Sequence, residues 1–408
     1  MIGIEEARRL LFEQVRSRRE AWPAESVMLP EAIGRIVSES EFSSICVPRF
    51  DNSAMDGFAI RSETTKPATK ESPVKLKVVG TAAVGEKAPA LRDGRTALKI
   101  MTGAPIPEGA DAVIPKEETR EREGVIEILE PVPIGCFVRR KAEDIQEGDE
   151  VVKRGTTVTV GVSGLLASIG VKAPLVARKA RVSIIVTGRE LVSDPKKLEP
   201  GKILDANSIL LQAGLRQIAC EVRRIKLMGD DPALLRKETH AALEESDVVL
   251  ISGGVSIGDS DYTREAMRAL GVQEIFWGVR QKPGKPLYAG FKDDKVVLGL
   301  PGNPFSTFVC FFLYVRPMLL TMMGAVEPDL HRVKLHLAAD VKQTPERAQL
   351  LKGRVISSTS GECLAEPLGR QASHLLSSLK EADILILIPE GDSKIPRGAQ
   401  VEVFALPR

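Results

Sequence analysis

Four short segments carry the residue types on which chemistry can be built. Gly188-Arg189-Glu190-Leu191 follows the apolar run VSIIVT. Gly253-Gly254-Val255-Ser256-Ile257-Gly258-Asp259-Ser260-Asp261-Tyr262-Thr263 follows DVVLIS, and Pro301-Gly302-Asn303-Pro304-Phe305-Ser306 follows VVLGL. Glycines in such places let backbone N–H groups approach an anion, and a helix N-terminus just beyond favours negative charge. The fourth segment, VQEIFWGVRQKPGKPLYAG, sets Arg280, Lys282 and Lys285 about a Pro-Gly turn. It reads either as a solvated hairpin or as an anion clamp facing the glycine loop. Asp205, Asp230, Asp231, Asp259 and Asp261 fall near the same loop edges. Taken alone, Asp261 or Thr263 reads as a helix N-cap.

Charge arithmetic sharpens the chemistry. A second anion brought to about 4 Å from a carboxylate costs roughly 4 kcal/mol at an effective dielectric of about 20. Anions bound beside aspartates therefore need lysines, a hard metal, or both. Magnesium takes one or two protein carboxylates and completes its shell with phosphate oxygens and water, which suits this set better than zinc. The chain carries neither a P-loop nor a dinucleotide fingerprint. A further acidic stretch, PRFDNSAMDGFAI at 48–60, holds Asp51 and Asp56 in turn-forming pairs.

The elements that must position these residues follow from periodicity. From Ala180, strands and helices alternate: RVSIIVT, DANSILLQAGL opened by Asp205 and closed near Gly214, CEVRRIKLM, and DDPALLRKETHAALEES with Pro232 in its first turn. DVVLIS, YTREAMRALG, KVVLGL and NPFSTFVCFFLYVRPMLL complete the series. Such alternation predicts a parallel sheet covered on both faces, whose ligands bind at the carboxyl ends of the strands. Residues 74–138 alternate short β-branched runs with Pro/Gly turns and read as a β-rich module. Residues 144–175 are expected to pack back on the first helix, making that module an insertion. Residues 330–408 read as short strands of a small barrel or sandwich. The chain is thus multidomain α/β. The expected parts are an N-terminal helical and extended domain (1–45 plus 143–175), an inserted β-rich domain (46–142), an αβα domain (176–326) and a C-terminal β domain (327–408).

Composition narrows the classes. Lys+Arg number 57 and Asp+Glu 55, and aromatics are 4%, which gives no nucleic-acid or membrane footprint. The five cysteines are scattered, without a Cys-x-x-Cys pair. This suggests a reducing cytosol and no zinc cluster. The N-terminal MIGIEEARRLLFEQVRSRRE is an amphipathic helix with Ile4, Ala7, Leu11 and Val15 on one face, unlike a targeting peptide. The most apolar run, Phe305–Met323, is broken by Arg316-Pro317 and reads as a buried helix.

Seven segments in order make the chain resemble the molybdopterin molybdenumtransferase family (the MoeA type, also the E domain of gephyrin). They are FDNSAMDGFA, IMTGAPIPEGADAVIPKEE, RKAEDIQEGD, VTGREL, ISGGVSIGDSDYT, KPGKP and GLPGNPFS. The resemblance implies insertion of molybdate, or tungstate, into adenylylated molybdopterin with release of AMP, the last step of molybdenum cofactor synthesis. It implies Mg2+ as cofactor and a MogA-like αβα domain with an inserted β-rich module and a C-terminal β-barrel. It also implies a cytoplasmic homodimer whose active site lies at the subunit interface, with the adenylyltransferase of the same pathway as donor.

By the same resemblance, Asp56, Thr102, Asp144, Glu190, Asp261 and Lys282 are the catalytic candidates. Ser252, Gly253, Gly254, Ser256, Lys285, Pro301, Asn303, Pro304, Ser306 and Ser373 are expected to bind substrate, and Asp230 with Asp261 the metal. Asp51 is expected to be a structural turn residue. The chain departs from the family at Phe58 (commonly Tyr), Arg189 (commonly Asp), Ala142 (often Gly) and Gly278 (often basic, with Arg280 as a substitute). Two other functions fit parts of the pattern: a molybdopterin adenylyltransferase, and a gephyrin-like scaffold.

Overall fold

The structure is a computed structural model that describes residues 1–16, 22–254, 262–342, 344–391 and 394–407. It divides into two compact units, one of residues 1–39, 154–160 and 173–408, the other of 40–153 and 161–172.

The first unit is built on a six-stranded sheet. Its order is Glu221–Met228, Arg181–Thr187, Val248–Ser252, Lys295–Leu300, Tyr288–Lys292, Gln273–Trp277. Side chains alternate between two cores, as a pleated strand requires. Val182, Ile184 and Val186 face the core shared with Leu211, Leu215 and Phe311. Ile185, Val249 and Ile251 face the core shared with Leu235, Ala242 and Met267. Both faces are thus covered, giving the αβα layering expected from the alternating pattern.

Two local expectations are corrected. Tyr288–Lys292 runs antiparallel to both neighbours, so the sheet is not wholly parallel. The cause is the tight Asp293-Asp294 connection between Lys292 and Lys295, with Asp293 at φ 55°; a two-residue loop can only join antiparallel strands. The helix expected to close near Gly214 instead spans Asn207–Gln217. Gly214 lies inside it because a Cβ there would sit 2.4 Å from the Phe311 ring. The glycine permits close helix packing; it does not end the helix.

The apolar stretch Pro304–Met322 is one buried helix, with 89% of its most apolar window inside the fold. Arg316-Pro317 does not break it. A π-turn over Phe311–Val315 precedes the proline and absorbs the missing hydrogen bond. The first helix, Ile4–Arg16, lays Ile4, Ala7, Leu11, Phe12 and Val15 into the same core. Arg8 is buried there too, donating to Leu313 O and pairing with Asp329.

Residues 332–405 close a five-stranded barrel. The order is Ala348–Ser357, Cys363–Pro367, Arg332–Leu337, Gln400–Ala405, Ile384–Ile388, and back to Ala348–Ser357. The barrel, not the sandwich, is the form adopted. Its first strand also receives a short parallel partner from the αβ part, Gln281–Lys282 against Ala348–Gln349.

The second unit holds a separate six-stranded sheet in the order Ala112–Pro115, Gly57–Ile60, Thr96–Ile100, Val74–Ala82, Val125–Ile128, Thr119–Arg122. Phe58, Ile60, Leu76, Ile114 and Ile126 form its core.

Candidate active site

Two of the cavities in the first unit adjoin the strand-end loops and the lysine turn. The larger, about 970 Å³, lies at the carboxyl ends of the sheet strands, where an open α/β sheet binds ligands. Gly188, Glu190, Asp230, Gly253, Gly254 and Asn303 are among the residues that line it. The second, about 760 Å³, is bounded by the Lys282–Pro286 turn and by barrel residues. Pro286, Asn303 and Ser306 line both.

The two differ in charge. The second cavity is walled by Lys282, Lys285, Lys342 and Arg347 against one acid, Asp340. Asp340 is already paired with Lys394 at 2.7 Å and accepts from Arg397 N at 2.8 Å, which together hold its carboxyl below the usual range. The glycine cavity carries Glu190, Asp205 and Asp230 with Arg189 and His374. The lysine turn therefore forms its own basic compartment beside the glycine loop, and is not a simple exposed hairpin. Arg280 is not part of it. Its guanidinium donates to Glu390 at 3.2 Å and Met1 O at 2.9 Å, and it lines neither cavity.

Several expected ligand groups do structural work. Ser252 is fully buried; its hydroxyl accepts from Asn207 Nδ2 at 2.9 Å and donates to Pro301 O at 3.3 Å. It braces the last loop and lines neither cavity. Gly253 sits at φ 91°, where a Cβ would come 2.3 Å from Thr187 O, so the turn requires glycine. Its N–H goes to Leu300 O at 3.1 Å and offers no donor to an anion. At the start of the long helix, Pro304 has no N–H and Phe305 N donates to Ser373 O at 3.0 Å. Asn303 Nδ2 donates to Ser373 Oγ at 3.2 Å. The loop thus leans on the barrel segment that carries Ser373 and His374.

Asp205 accepts from Ser208 N at 3.0 Å and starts its helix. Asp231 caps the next, accepting from Ala233 N and Leu234 N. Asp230 stays at the cavity wall beside Arg189, whose N lies 3.4 Å from Asp230 Oδ2. Thr263 lies within the helix Tyr262–Ala269 and donates to Gly254 O at 2.7 Å. Ser256 and Asp261 lie outside the described residues.

In the second unit the structure joins Asp56 to Thr102. The strand partners Gly57 and Ile100 place them at adjoining ends, and Asp56 Oδ1 accepts from both Thr102 N and Thr102 Oγ1. Asp51 does what a turn residue does: it accepts from Lys141 N at 2.8 Å and Arg140 at 2.7 Å. The Lys141 N–H first, with Arg140, holds its carboxyl below the usual range. Asp144 is exposed, with its N–H on Val47 O at 3.1 Å.

Residues 2–170 match the family profile described as MoeA N-terminal region (domain I and II). Residues 183–321 match a probable molybdopterin binding domain, and 334–406 the MoeA C-terminal region (domain IV). A Haemophilus influenzae protein, molybdopterin molybdenumtransferase, is 33% identical over 408 residues, covering 99% of this chain and 98% of its own length. The chain belongs to the molybdopterin molybdenumtransferase (MoeA) family. A Staphylococcus epidermidis member is 33% identical over 93% of this chain and 90% of its own. The solved molybdopterin biosynthesis moeA protein of Pyrococcus horikoshii OT3 aligns over 100% of both chains, with a TM-score of 0.83 at 30% identity.

The departures from the MoeA pattern now have settings. Phe58 is a core residue, 1% exposed. Ala142 holds φ 62°, a left-handed conformation that glycine adopts with less strain. Gly278 is at φ 84°, and Arg280 is engaged elsewhere and does not substitute for a base there. Arg347 of the basic cavity and His374 of the glycine cavity were missed in the sequence. Neither lies in a glycine loop or charge pair that marks a site; only barrel closure brings them in.

Proposed function

We propose that this chain acts as a molybdopterin molybdenumtransferase, inserting molybdenum into adenylylated molybdopterin with release of AMP. The observation that carries the assignment to these cavities is the pair of compartments of opposite charge that share Pro286, Asn303 and Ser306. Molybdate, a dianion, suits the basic compartment of Lys282, Lys285 and Arg347. The adenylylated pterin suits the glycine cavity at the strand ends, against Gly254, Pro301 and Pro304. At the shared wall the two substrates come within reach of each other, so catalysis is mainly placement and charge neutralisation.

A divalent cation fits the glycine cavity. Its acids are hard oxygen donors, and magnesium needs only one or two of them beside phosphate oxygens and water. Among the described residues, no cluster of three or more His, Cys, Asp or Glu side chains is placed to hold a metal ion, so one or two carboxylates would have to serve. Glu190 and Asp230 would hold it, with Asp261 as the further candidate; bound there, it would neutralise phosphate charge. Asp205 serves its helix cap. Arg189, at the same wall, adds a fixed positive charge that limits how many carboxylates a metal is needed to offset.

Asp56 and Thr102 act as a unit, Thr102 orienting the carboxylate toward a ligand group or water, with Asp144 as a further candidate. Met55 and Met101, their chain neighbours, are exposed apolar side chains, as is Phe50. These support a homodimer in which this surface meets a second copy and helps complete an active site at the subunit interface, in a cytoplasmic enzyme supplied by an adenylyltransferase. The deciding assay mixes the purified chain with adenylylated molybdopterin, magnesium and molybdate. Molybdate-dependent AMP release with formation of active cofactor is expected; no release sinks the assignment. Sedimentation of the same sample tests the dimer.

A further inference from the structure

Lys352 is a fully buried lysine on the barrel strand Ala348–Ser357. No carboxylate among the described residues forms an ion pair with it. Its ammonium lies 4.5 Å above the centre of the Phe305 ring and donates to Leu375 O at 2.9 Å, with Ala372 O at 3.5 Å. Those two carbonyls flank Ser373 and His374. The lysine backbone holds the same segment a second way: Lys352 N donates to Gln371 Oε1 at 2.9 Å, and Gln371 Nε2 donates to Lys352 O at 2.8 Å. Burying a cation without a counter-ion is unfavourable, and burial pushes this ammonium below its usual pKa. A simple barrel core would be served better by an apolar side chain.

What the lysine does achieve is local. Ser373 lines the basic cavity and His374 the glycine cavity. Ser373 also meets Phe305 N and Asn303 Nδ2 at the loop that lines both. We propose that Lys352 is a positioning residue for molybdate use: its ammonium fixes the turn that presents Ser373 at the basic cavity, and the ring of Phe305 fixes the ammonium. This rests on the assignment of molybdate to that cavity.

The full-length enzyme is assayed with molybdate varied at saturating adenylylated molybdopterin and magnesium. Lys352→Met, of matched length but without charge or donors, is expected to raise the molybdate KM roughly tenfold with a smaller change in kcat. Lys352→Arg, which keeps charge and donors, is expected to stay within about twofold of the parent. Hydrogen exchange over residues 371–376 should quicken in the first variant and not in the second. An unchanged molybdate KM in a folded Lys352→Met protein overturns the proposal, as does a loss in kcat alone. If that variant fails to fold, Phe305→Leu is measured instead and should raise the same KM less steeply; if neither folds, Lys352 is a folding element and the proposal falls. Lys285→Ala separates the two levels: if it leaves the molybdate KM unchanged, the cavity assignment itself is wrong.

Discussion

Asp56 Oδ1 accepts two hydrogen bonds from Thr102, one from the backbone N–H and one from the hydroxyl, both at 2.8 Å. The backbone N–H first, then the hydroxyl and the nearby Lys116, hold the Asp56 carboxyl below the usual carboxylate range. The carboxylate therefore persists to lower pH in the folded chain than in the unfolded one. The stability it lends is present above its unfolded pKa and is lost as pH falls through the lower folded value. Thr102→Val removes the hydroxyl and leaves the N–H. The Asp56 pKa should rise toward the ordinary value, read by carbon NMR of the labelled carboxyl; no rise would mean that the hydroxyl contributes nothing.

If the pair also serves the reaction, Asp56→Asn should reduce AMP release by about tenfold or more while leaving the melting temperature close to that of the parent. The side chain is exposed, so little packing is lost. A folded Asp56→Asn protein with full activity would remove Asp56 from the site.

The basic cavity predicts a charge effect on one substrate only. Lys282→Ala should raise the molybdate KM by about threefold to tenfold, up to about 1.4 kcal/mol. The KM for adenylylated molybdopterin should be nearly unmoved, and added salt should narrow the gap because Lys282 is exposed.

Gly253 allows a stability test independent of any ligand. Gly253→Ala puts a Cβ 2.3 Å from Thr187 O on a backbone at φ 91°, so either the turn or the strand end must shift. The expected loss is about 1–3 kcal/mol, seen as a lower melting temperature. A variant as stable as the parent would show that the turn relaxes freely.

Thiol chemistry should follow burial. Burial is the first cause that pushes the Cys220 thiol up to about 12, and it raises the fully buried Cys310 further. Cys363 is exposed. At pH 8 an alkylating reagent should label Cys363 in the native protein and spare Cys220 and Cys310 until it is unfolded. Mass spectrometry of the digested protein gives the order directly.

Much of the αβ part was legible because its strands are continuous apolar runs and its helices carry caps such as Asp231 ahead of Pro232. The strand-end loops followed from topology. Hydrogen-bond allocation was not legible. Nothing in the string of residues says that the Gly253 N–H is taken by Leu300 O, or that Ser252 braces Asn207 and Pro301. Gly214 looked like a helix stop because its partner, Phe311, lies 97 positions further along. Arg347, His374 and Lys352 were invisible for a related reason. Each owes its place to closure of the barrel, a non-local pairing with no local periodicity of its own.

One small pairing has a wider consequence. Gln281–Lys282 leaves the αβ part to run beside Ala348–Gln349 of the barrel. The glycine cavity is walled mostly by αβ residues, whereas the basic one also draws Asp340, Lys342, Arg347, Gln349 and Gln371 through Ser373 from the barrel. On the proposed assignment, the nucleotide-bearing partner is held mainly by the αβ part, whereas the oxyanion site is shared between the αβ lysine turn and the barrel. A lineage can then tune its grip on the oxyanion through barrel residues such as Lys342 and Arg347, which do not line the cavity that holds the activated pterin.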